Sequence, residues 1–506
     1  MPGFPPSVLH IIPRLSLGGA GRALIGIAKY SAQSDSFRHS AISLSPAERR
    51  SLDLASQAGL NVLPLSATPE VVAALADADI VHFHYWNSPE LHDLWARQLP
   101  PMRAVLWSHV NGQHSPHLIT REIIQRADIF VAATPMTLEL DLVKSLKPGQ
   151  ASSIFCGADF ARVEDIRSQH HTTFNVGYIG TVDFAKLHPG FVAMCADINV
   201  PSAHFIICGP GKAIGTLKKQ VRTFKDEGRF EFLDYVEDVR SVIARLDVFG
   251  YPLCENNYSA GELVLQEVMH AGVPPVVLPY GGAPHLIAHG ETGLVAKDEK
   301  EYARAVEFLY RYPDERNRLG RNAAARAREL FGARNCAEKF NRVYEHLLQR
   351  PKAIRDDSSV DLGTMTDAEA QSNRGAALLL RSLGDAAADF RASVLEDQDL
   401  LEAEARLSSL EPAVGDCVLD YWHYFPADGH LALWSGLVLL NRERPALAAA
   451  AFRRAIEAGC DHWRAQLYFA RAAQAGGATA AAEAALAAAR AVAPQSVTGS
   501  APRTIQ

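Results

Sequence analysis

The sequence has few cysteines and no excess of basic charge. Its 506 residues include seven cysteines, none of them in a C-x-x-C pair, and the formal net charge is −7. Single cysteines inside apolar runs are typical of buried thiols in a reducing compartment. An acidic chain gives no electrostatic reason to bind nucleic acid, and we expect no nucleic-acid partner.

Long apolar runs are also missing. The first residues, MPGFPPSVLHIIPRL, lack a charged region followed by a long apolar stretch. No window reaches the roughly 18 to 20 apolar residues that a membrane span needs. We therefore expect a cytoplasmic protein, and peripheral contact with the inner face of the membrane stays open.

Short β-rich runs alternate with helical patterns over most of the chain. One such series extends from residue 8 to about 160, and a second begins at about 173. This alternation predicts parallel sheets with helices on both faces. We predict two tandem Rossmann-like doubly wound domains, at 1–168 and 169–350, which meet at a cleft formed by the carboxyl ends of their strands.

The remainder of the chain has helical pattern only. We interpret 351–369 as a linker, 370–495 as an all-α domain and 496–506 as a disordered tail. Phe452 and Leu486 are 34 positions apart, as are Ala448 and Ala482. This period is typical of tetratricopeptide helix pairs, with a weaker unit at 373–396, and an unrelated Ala-rich bundle is the alternative.

Two carboxylates, Glu262 and Glu267, stand where a helix begins beside a Val-rich strand. The start of a helix favours phosphate, and nearby carboxylates accept hydrogen bonds from the paired hydroxyls of a sugar or ribose. In the alternative interpretation, Ser259 and Glu262 form an S-x-x-E capping box with no role in binding.

Two further stretches have residues suited to a phosphorylated ligand. Lys186 ends a predicted strand and turn, where a cation would stabilise a leaving diphosphate; the alternative is a solvated surface lysine. Gly18 and Gly19 follow the first strand and open a helix, so the backbone there can approach a ligand closely. Neither the spacing at 17–22 nor that at 209–212 fits a dinucleotide fingerprint or a P-loop.

Histidines are frequent near two predicted strand ends. His82 and His84 flank Phe83, and His109 follows the strand AVLWS. The sequence contains no H-E-x-x-H, and no carboxylate or cysteine stands at ligand spacing, so we expect no metal site. His109, at the carboxyl end of its strand, is placed to donate a hydrogen bond to a ligand hydroxyl.

Residues 8 to 350 resemble the retaining glycosyltransferases of the GT-B fold, family 4. The most specific matches are the run 263–277, the pair Gly281 and Gly282, and the stretch 290–295. The resemblance implies transfer of a sugar from a UDP- or GDP-linked donor with retention of configuration. It also implies that neither a metal nor another cofactor is needed.

The resemblance further implies roles for individual residues. The glutamate at the position of Glu267 holds the donor ribose, Lys186 neutralises the diphosphate, and His109 reaches the transferred sugar. The glycine loop approaches the sugar phosphate. We assign catalysis to Glu262, Lys186 and His109, and donor binding to Gly18, Gly19, Thr181, Lys186, Val236, Glu262, Leu263, Val264 and Glu267.

The chain departs from the family pattern at three positions. Ser259 replaces the first glutamate, Thr181 replaces an arginine, and His285 replaces a glutamate. We favour a glycan or lipid-linked glycan as acceptor, with the repeats docking the acceptor or a protein partner. The alternatives are a protein O-glycosyltransferase whose repeats hold the acceptor, a degenerate GT-B scaffold protein and, less favoured, a GT-B sugar-nucleotide epimerase.

Overall fold

The computed structural model describes residues 5–34, 36–64, 68–354, 373–395, 400–460 and 463–492. The predicted tail and most of the predicted linker lie outside these ranges. The chain divides into two compact units. Unit 1 comprises 1–86 and 98–356, and unit 2 comprises 87–97 and 357–506.

The first half of unit 1 is built on a seven-stranded parallel sheet of order β3-β2-β1-β4-β5-β6-β7. Its strands are β1 Ser7–Ile12, β2 Arg38–Ser43, β3 Asn61–Leu63, β4 Ile80–Tyr85, β5 Ala104–Ser108, β6 Ile129–Ala132 and β7 Ala151–Ser153. Its helices are α1 Gly19–Ala32, α2 Arg49–Gln57 and α3 Thr68–Asp77, followed, after the segment that belongs to unit 2, by α5 Arg121–Ile124 and α6 Asp141–Lys144.

The second half of unit 1 has a six-stranded sheet of order β10-β9-β8-β11-β12-β13. Its strands are β8 Phe174–Ile179, β9 Ala203–Cys208, β10 Phe230–Leu233, β11 Val248–Tyr251, β12 Pro275–Val277 and β13 Leu294–Val295. The helices are α7 Phe191–Ala196, α8 Ile214–Phe224, α9 Arg240–Ile243, α10 Leu263–His270, α11 Glu299–Arg311, α12 Pro313–Leu330 and α13 Ala333–Leu348.

Both sheets confirm the predicted doubly wound architecture. Strands β4 and β8 are buried along their whole length, as expected when helices cover both faces of a parallel sheet. In each sheet the order of strands reverses direction beside the first strand, at β1 next to β4 and at β8 next to β11. Open α/β sheets bind ligands beyond the carboxyl ends of the strands at such points.

Unit 2 is helical throughout its described residues. Its helices are α4 Pro89–Trp95, α14 Arg374–Leu383, α15 Ala388–Leu395, α16 Leu400–Ser408, α17 Pro412–Tyr424, α18 Gly429–Asn441, α19 Pro445–Glu457, α20 Trp463–Ala475 and α21 Thr479–Val492. Helices α18 and α20 begin 34 residues apart, as do α19 and α21. The all-α class is thus confirmed, and the tetratricopeptide identity stays a prediction.

The sequence did not predict that α4 would join the C-terminal helices. This segment connects β4 to β5, yet its side chains bond within unit 2. Arg374 Nε donates to Asp93 Oδ1 at 2.8 Å, and Asn87 Nδ2 donates to Ser382 Oγ at 2.9 Å. The Tyr421 hydroxyl donates to Asn87 Oδ1 at 2.9 Å.

Among the described residues, no helix is long and apolar enough to cross a bilayer.

Candidate functional site

The glycine loop after β1 opens helix α1 as predicted. Gly18 is the N-cap residue and α1 begins at Gly19. A Cβ added to Gly21 would lie 2.0 Å from the Ser16 carbonyl oxygen, so only glycine allows this close approach of loop and helix. Arg22 follows in the first turn and projects its guanidinium toward the second half of unit 1, where it interacts with Glu267 and Tyr235.

Helix α10 begins at Leu263, three residues later than a capping box with Ser259 as its N-cap would require. Glu262 is its N-cap, with a left-handed backbone at φ 35° and ψ 59°, and it makes no side-chain cap hydrogen bond. Ser259 Oγ donates instead to Asn257 Oδ1 at 2.6 Å. The capping-box interpretation is therefore wrong, because Glu262 precedes the helix and cannot occupy its third position.

Glu262 pairs with Lys186. The Lys186 Nζ atom lies 3.0 Å from Glu262 Oε2, which also accepts a hydrogen bond from the Tyr251 hydroxyl. The side chains of Glu262 and Lys186 are 1% and 20% exposed. Lys186 is thus not a solvated surface lysine. Burial, and next the Glu262 charge, hold the pKa of the Tyr251 hydroxyl well above its usual range, so Tyr251 stays a donor.

Glu267 has a different partner. Its Oε1 atom accepts a hydrogen bond from Arg162 at 2.6 Å, and its side chain is only 3% exposed. Burial raises the pKa of Glu267, while the charges of Arg162 and Arg22 oppose that rise. Burial and then the neighbouring Arg162 lower the pKa of Arg22. Two guanidinium groups thus surround one carboxylate, which leaves a local excess of positive charge suited to an anion.

Arg22, Arg162 and Glu267 line a cavity of about 650 Å³ between the two halves of unit 1. The first half contributes Leu17 from the glycine loop and Arg22 from α1, and the second half contributes Leu263 and Glu267 from α10. Further charged residues around it form ion pairs: Arg50 with Glu237, Arg240 with Asp238, and Lys29 with Asp159.

Of the donor residues assigned from the sequence, Leu263 and Glu267 line this cavity. The others do not belong to its described lining: Gly18, Gly19, Thr181, Lys186, Val236, Glu262 and Val264. Four of them, Gly18, Val236, Glu262 and Val264, are direct chain neighbours of lining residues. Glu262 and Glu267 pair with separate cations, Lys186 and Arg162. Glu262 precedes α10 in a left-handed backbone conformation, whereas Glu267 lies within the helix.

Two arginines are among the lining residues that were not assigned from the sequence. Arg22 and Arg162 come together although 140 positions separate them. The sequence did contain an indication that Arg22 belongs to the site, because a cation in the first turn after a glycine loop faces the ligand that the loop approaches. The indication for Arg162 was weaker: this residue follows the crossover stretch Gly157-Ala-Asp159 that joins the two halves.

His109 lies at the carboxyl end of β5, as predicted, but both of its ring nitrogens have partners. Nε2 lies 2.8 Å from His84 Nδ1, and Nδ1 lies 3.3 Å from Cys156 Sγ. Burial lowers the pKa of His109 to about 3, so the ring is neutral. His109 is outside the lining of the cavity, and its contact with a transferred sugar stays a prediction.

A family model described as Glycosyl transferases group 1 matches residues 173–311. This range includes α10 and therefore Glu262 and Glu267. A solved glycosyltransferase from Rickettsia africae also shares the fold of unit 1, with a TM-score of 0.57 and 12% identity, over 68% of this chain and 99% of that one. Unit 1 has the GT-B glycosyltransferase fold.

Two further solved structures illustrate the match. Anabaena HepE in complex with UDP and glucose superposes with a TM-score of 0.55 and 17% identity, over 67% of this chain and 99% of that one. Sucrose-phosphate synthase from Thermosynechococcus elongatus gives a TM-score of 0.55 and 18% identity, over 68% of this chain and 99% of that one. At these identities the likeness concerns the fold alone.

Sequence relatives agree with the structural match. The D-inositol 3-phosphate glycosyltransferase of Corynebacterium diphtheriae is 26% identical over 304 residues, which are 53% of this chain and 70% of that protein. The N-acetyl-alpha-D-glucosaminyl L-malate synthase of Bacillus anthracis is 31% identical over 157 residues, 31% of this chain and 39% of that protein. Together these matches support glycosyltransferase activity, and leave donor and acceptor open.

Proposed function

We propose that the protein is a family 4 glycosyltransferase that transfers a sugar from a UDP- or GDP-linked donor to an acceptor hydroxyl, with retention of configuration. The single observation that carries this proposal is the buried Glu267 carboxylate between Arg22 and Arg162 in the 650 Å³ cavity. A carboxylate next to two cations fits a ligand that offers hydroxyls beside phosphates.

The donor would exchange partners with the residues of the cavity. Its ribose hydroxyls donate to Glu267, in charge-assisted hydrogen bonds. Arg162, released from Glu267, then pairs with the diphosphate together with Arg22, and the start of α1 at Gly19 adds backbone N–H groups that favour an anion. The excess positive charge of the cavity is thereby neutralised by the ligand.

Lys186 and Glu262 form the second part of the proposed site. Lys186 supplies positive charge to the leaving phosphate when it leaves its partner Glu262, whose carboxylate then accepts a hydroxyl of the transferred sugar. His109 Nδ1, which lies 3.3 Å from Cys156 Sγ, donates to another hydroxyl of that sugar when it leaves this thiol. The bond from the anomeric carbon to the phosphate oxygen breaks, the bond to the acceptor oxygen forms on the same face, and the departing phosphate takes the acceptor proton. This route needs neither a protein nucleophile nor a metal or other cofactor.

The acceptor we favour is a glycan or lipid-linked glycan, handled in the cytoplasm or at the inner face of the membrane. The names of the relatives support an acceptor that is a polar molecule with a hydroxyl group, because they include inositol 3-phosphate, malate and maltose-1-phosphate enzymes. The regular 34-residue spacing of the helices in unit 2 favours docking of an acceptor or partner protein there. Transfer to a protein side chain is the second candidate.

A donor-hydrolysis assay with a panel of sugar nucleotides tests the activity. We expect nucleotide release from one donor, and a loss of roughly two to three orders of magnitude in turnover for Glu267→Ala and Lys186→Ala, the scale of one transition-state contact. Arg318→Gln, which removes an ion pair with Glu315 on α12, is the matched control and should retain activity.

The anomeric configuration of the product, read by NMR, tests retention. Inversion of configuration would remove the assignment to the retaining family. If no donor releases a nucleotide, unit 1 is instead a scaffold. Two departures from the family pattern, Thr181 and Ser259, favour this alternative.

A further inference from the structure

Three histidine rings converge inside the first sheet, away from the cavity. His10 on β1 is in register with His82 on β4, and His84 lies two residues further along β4 on the same face. The ring centroids are 4.6 to 5.2 Å apart, and one ring nitrogen of each histidine lies within 4.8 Å of the others. All three residues are fully buried.

Each of these rings is held from its outer side by a second group. His10 Nε2 lies 2.8 Å from His39 Nδ1, His82 Nδ1 lies 2.7 Å from the Tyr344 hydroxyl, and His84 Nδ1 lies 2.8 Å from His109 Nε2. These bonds leave His10 Nδ1, His82 Nε2 and His84 Nε2 on the inner side. Histidines that bind metals commonly donate their second ring nitrogen to such a partner, which fixes the tautomer and the ring orientation.

The inner nitrogens are incompletely satisfied. His10 Nδ1 and His84 Nε2 lie 3.0 Å from each other, and buried His82 Nε2 has no hydrogen-bond partner among the described residues. If both outer nitrogens of His10 and His84 donate, their inner nitrogens present two lone pairs to each other. A buried polar atom without a partner costs about 1–3 kcal/mol, and an ion is one explanation for such an atom.

We propose that His10 Nδ1, His82 Nε2 and His84 Nε2 bind a first-row transition-metal ion of the zinc and copper class. Three neutral imidazoles suit these ions, whereas Mg²⁺ and Ca²⁺ require oxygen ligands. Metal–nitrogen bonds of about 2.0–2.1 Å require ligand nitrogens roughly 3.3 Å apart, close to the observed 3.0 Å between His10 and His84. Phe340 and Tyr344 of α13 pack against the His82 ring, and all three histidines are fully buried, which indicates a closed structural site.

The metal content of the full-length protein, expressed in medium supplemented with zinc or with copper and then desalted, tests the proposal. Elemental analysis is expected to find about one equivalent of one of these metals per chain. The two media distinguish zinc from copper. Wild-type protein with no bound metal from either medium would overturn the proposal and leave a metal-free hydrogen-bonded histidine network.

Two variants remove single ligand atoms while they retain the outer contacts. His82→Asn keeps a polar atom near Nδ1 for the Tyr344 hydroxyl, and His10→Gln keeps one near Nε2 for His39. Both are expected to lose the bound metal. The matched control is His204→Asn, which should keep the metal. The His204 ring pairs with Glu231 at the edge of the second sheet. Equal metal content in all four proteins would show surface binding and contradict the site.

Substitution with Co²⁺ gives a readout that does not depend on either variant. A cobalt ion held by three imidazoles is expected to show the visible d–d absorption of low coordination number, and X-ray absorption should show nitrogen ligands at about 2.0–2.1 Å. A spectrum of six oxygen ligands would identify an adventitious ion and would also overturn the proposal.

Discussion

The Glu267 carboxylate and the Arg162 guanidinium lie 2.6 Å apart, although 105 positions separate them in the chain. Glu267 belongs to α10, while Arg162 lies in the crossover between the two sheets. Because Arg22 from α1 is close to both, three segments place their charges around one cavity. This juxtaposition, and no single motif, is the basis on which we propose the ligand site.

The pH dependence of donor binding should report the protonation of Glu267. Burial raises the pKa of this carboxyl above its ordinary value, and only the ionised form accepts both ribose hydroxyls. The KM for the donor should therefore be constant above the raised pKa and increase as the pH falls through it. Steady-state kinetics across this range measure the effect.

Glu267→Gln is the reference for that titration. It should increase KM by about tenfold to a hundredfold, as expected for lost charge-assisted hydrogen bonds worth about 1.5–3 kcal/mol. Its KM should not depend on pH in the same range, whereas Glu315→Gln on α12 should behave as the wild type. An identical pH profile in Glu267→Gln would assign the titration to another group.

The ion pair of Lys186 and Glu262 should show strong coupling in stability. Lys186→Met leaves a carboxylate that is 1% exposed without its cation, and we expect a loss of about 3 kcal/mol in the free energy of unfolding. The double variant Lys186→Met/Glu262→Gln should recover more than half of it, because the amide still accepts from Tyr251. Urea denaturation of the wild type, the two single variants and the double variant measures this double-mutant cycle. Additive changes in the free energy of unfolding would contradict a buried pair.

Gly436 in unit 2 should not tolerate a side chain. A Cβ at this position of α18 would lie 2.4 Å from the Phe452 ring of α19. We expect Gly436→Ala to lower the stability of unit 2 by about 1–3 kcal/mol, the range for overpacking. Adding Phe452→Leu should relieve the clash and restore part of the melting temperature. A melting temperature unchanged in Gly436→Ala would show that the two helices can separate at little cost.

Removal of the C-terminal helices should affect more than the proposed docking function. Deletion from residue 357 onward takes away the partners of α4, among them Ser382 and Tyr421, which bond Asn87. We expect a less stable, aggregation-prone chain, because Ala96 then loses the apolar cluster on which it packs. Size-exclusion chromatography and thermal denaturation measure this.

A shorter deletion, from residue 461 onward, is the control for that experiment. It removes α20 and α21 but leaves α14 and α17, which contact α4. It should cost stability in unit 2 without aggregation through α4. Equal behaviour of the two truncated chains would mean that α4 does not depend on unit 2.

Much of the fold could be predicted from the local sequence. Alternation of apolar runs and helical patterns gives parallel sheets, and each of the strands β1 to β13 overlaps one of the two predicted series. The glycine loop before α1 was also predictable, because only glycine permits its approach to Ser16. In contrast, the pairing of Glu262 with Lys186 could not be predicted, because the two residues are 76 positions apart.

The sequence by itself determined the secondary structure, the doubly wound class and the acidic residues of α10, because these depend on periodicity and on neighbours within a few positions. Only the tertiary structure decided which distant parts of the chain meet. Glu267 pairs with Arg162 and Glu262 with Lys186, His10 lies beside His82 and His84, and α4 packs with the C-terminal helices. Side-chain partners across the sheets depend on strand order and helix rotation, which bring together residues that have no proximity along the chain.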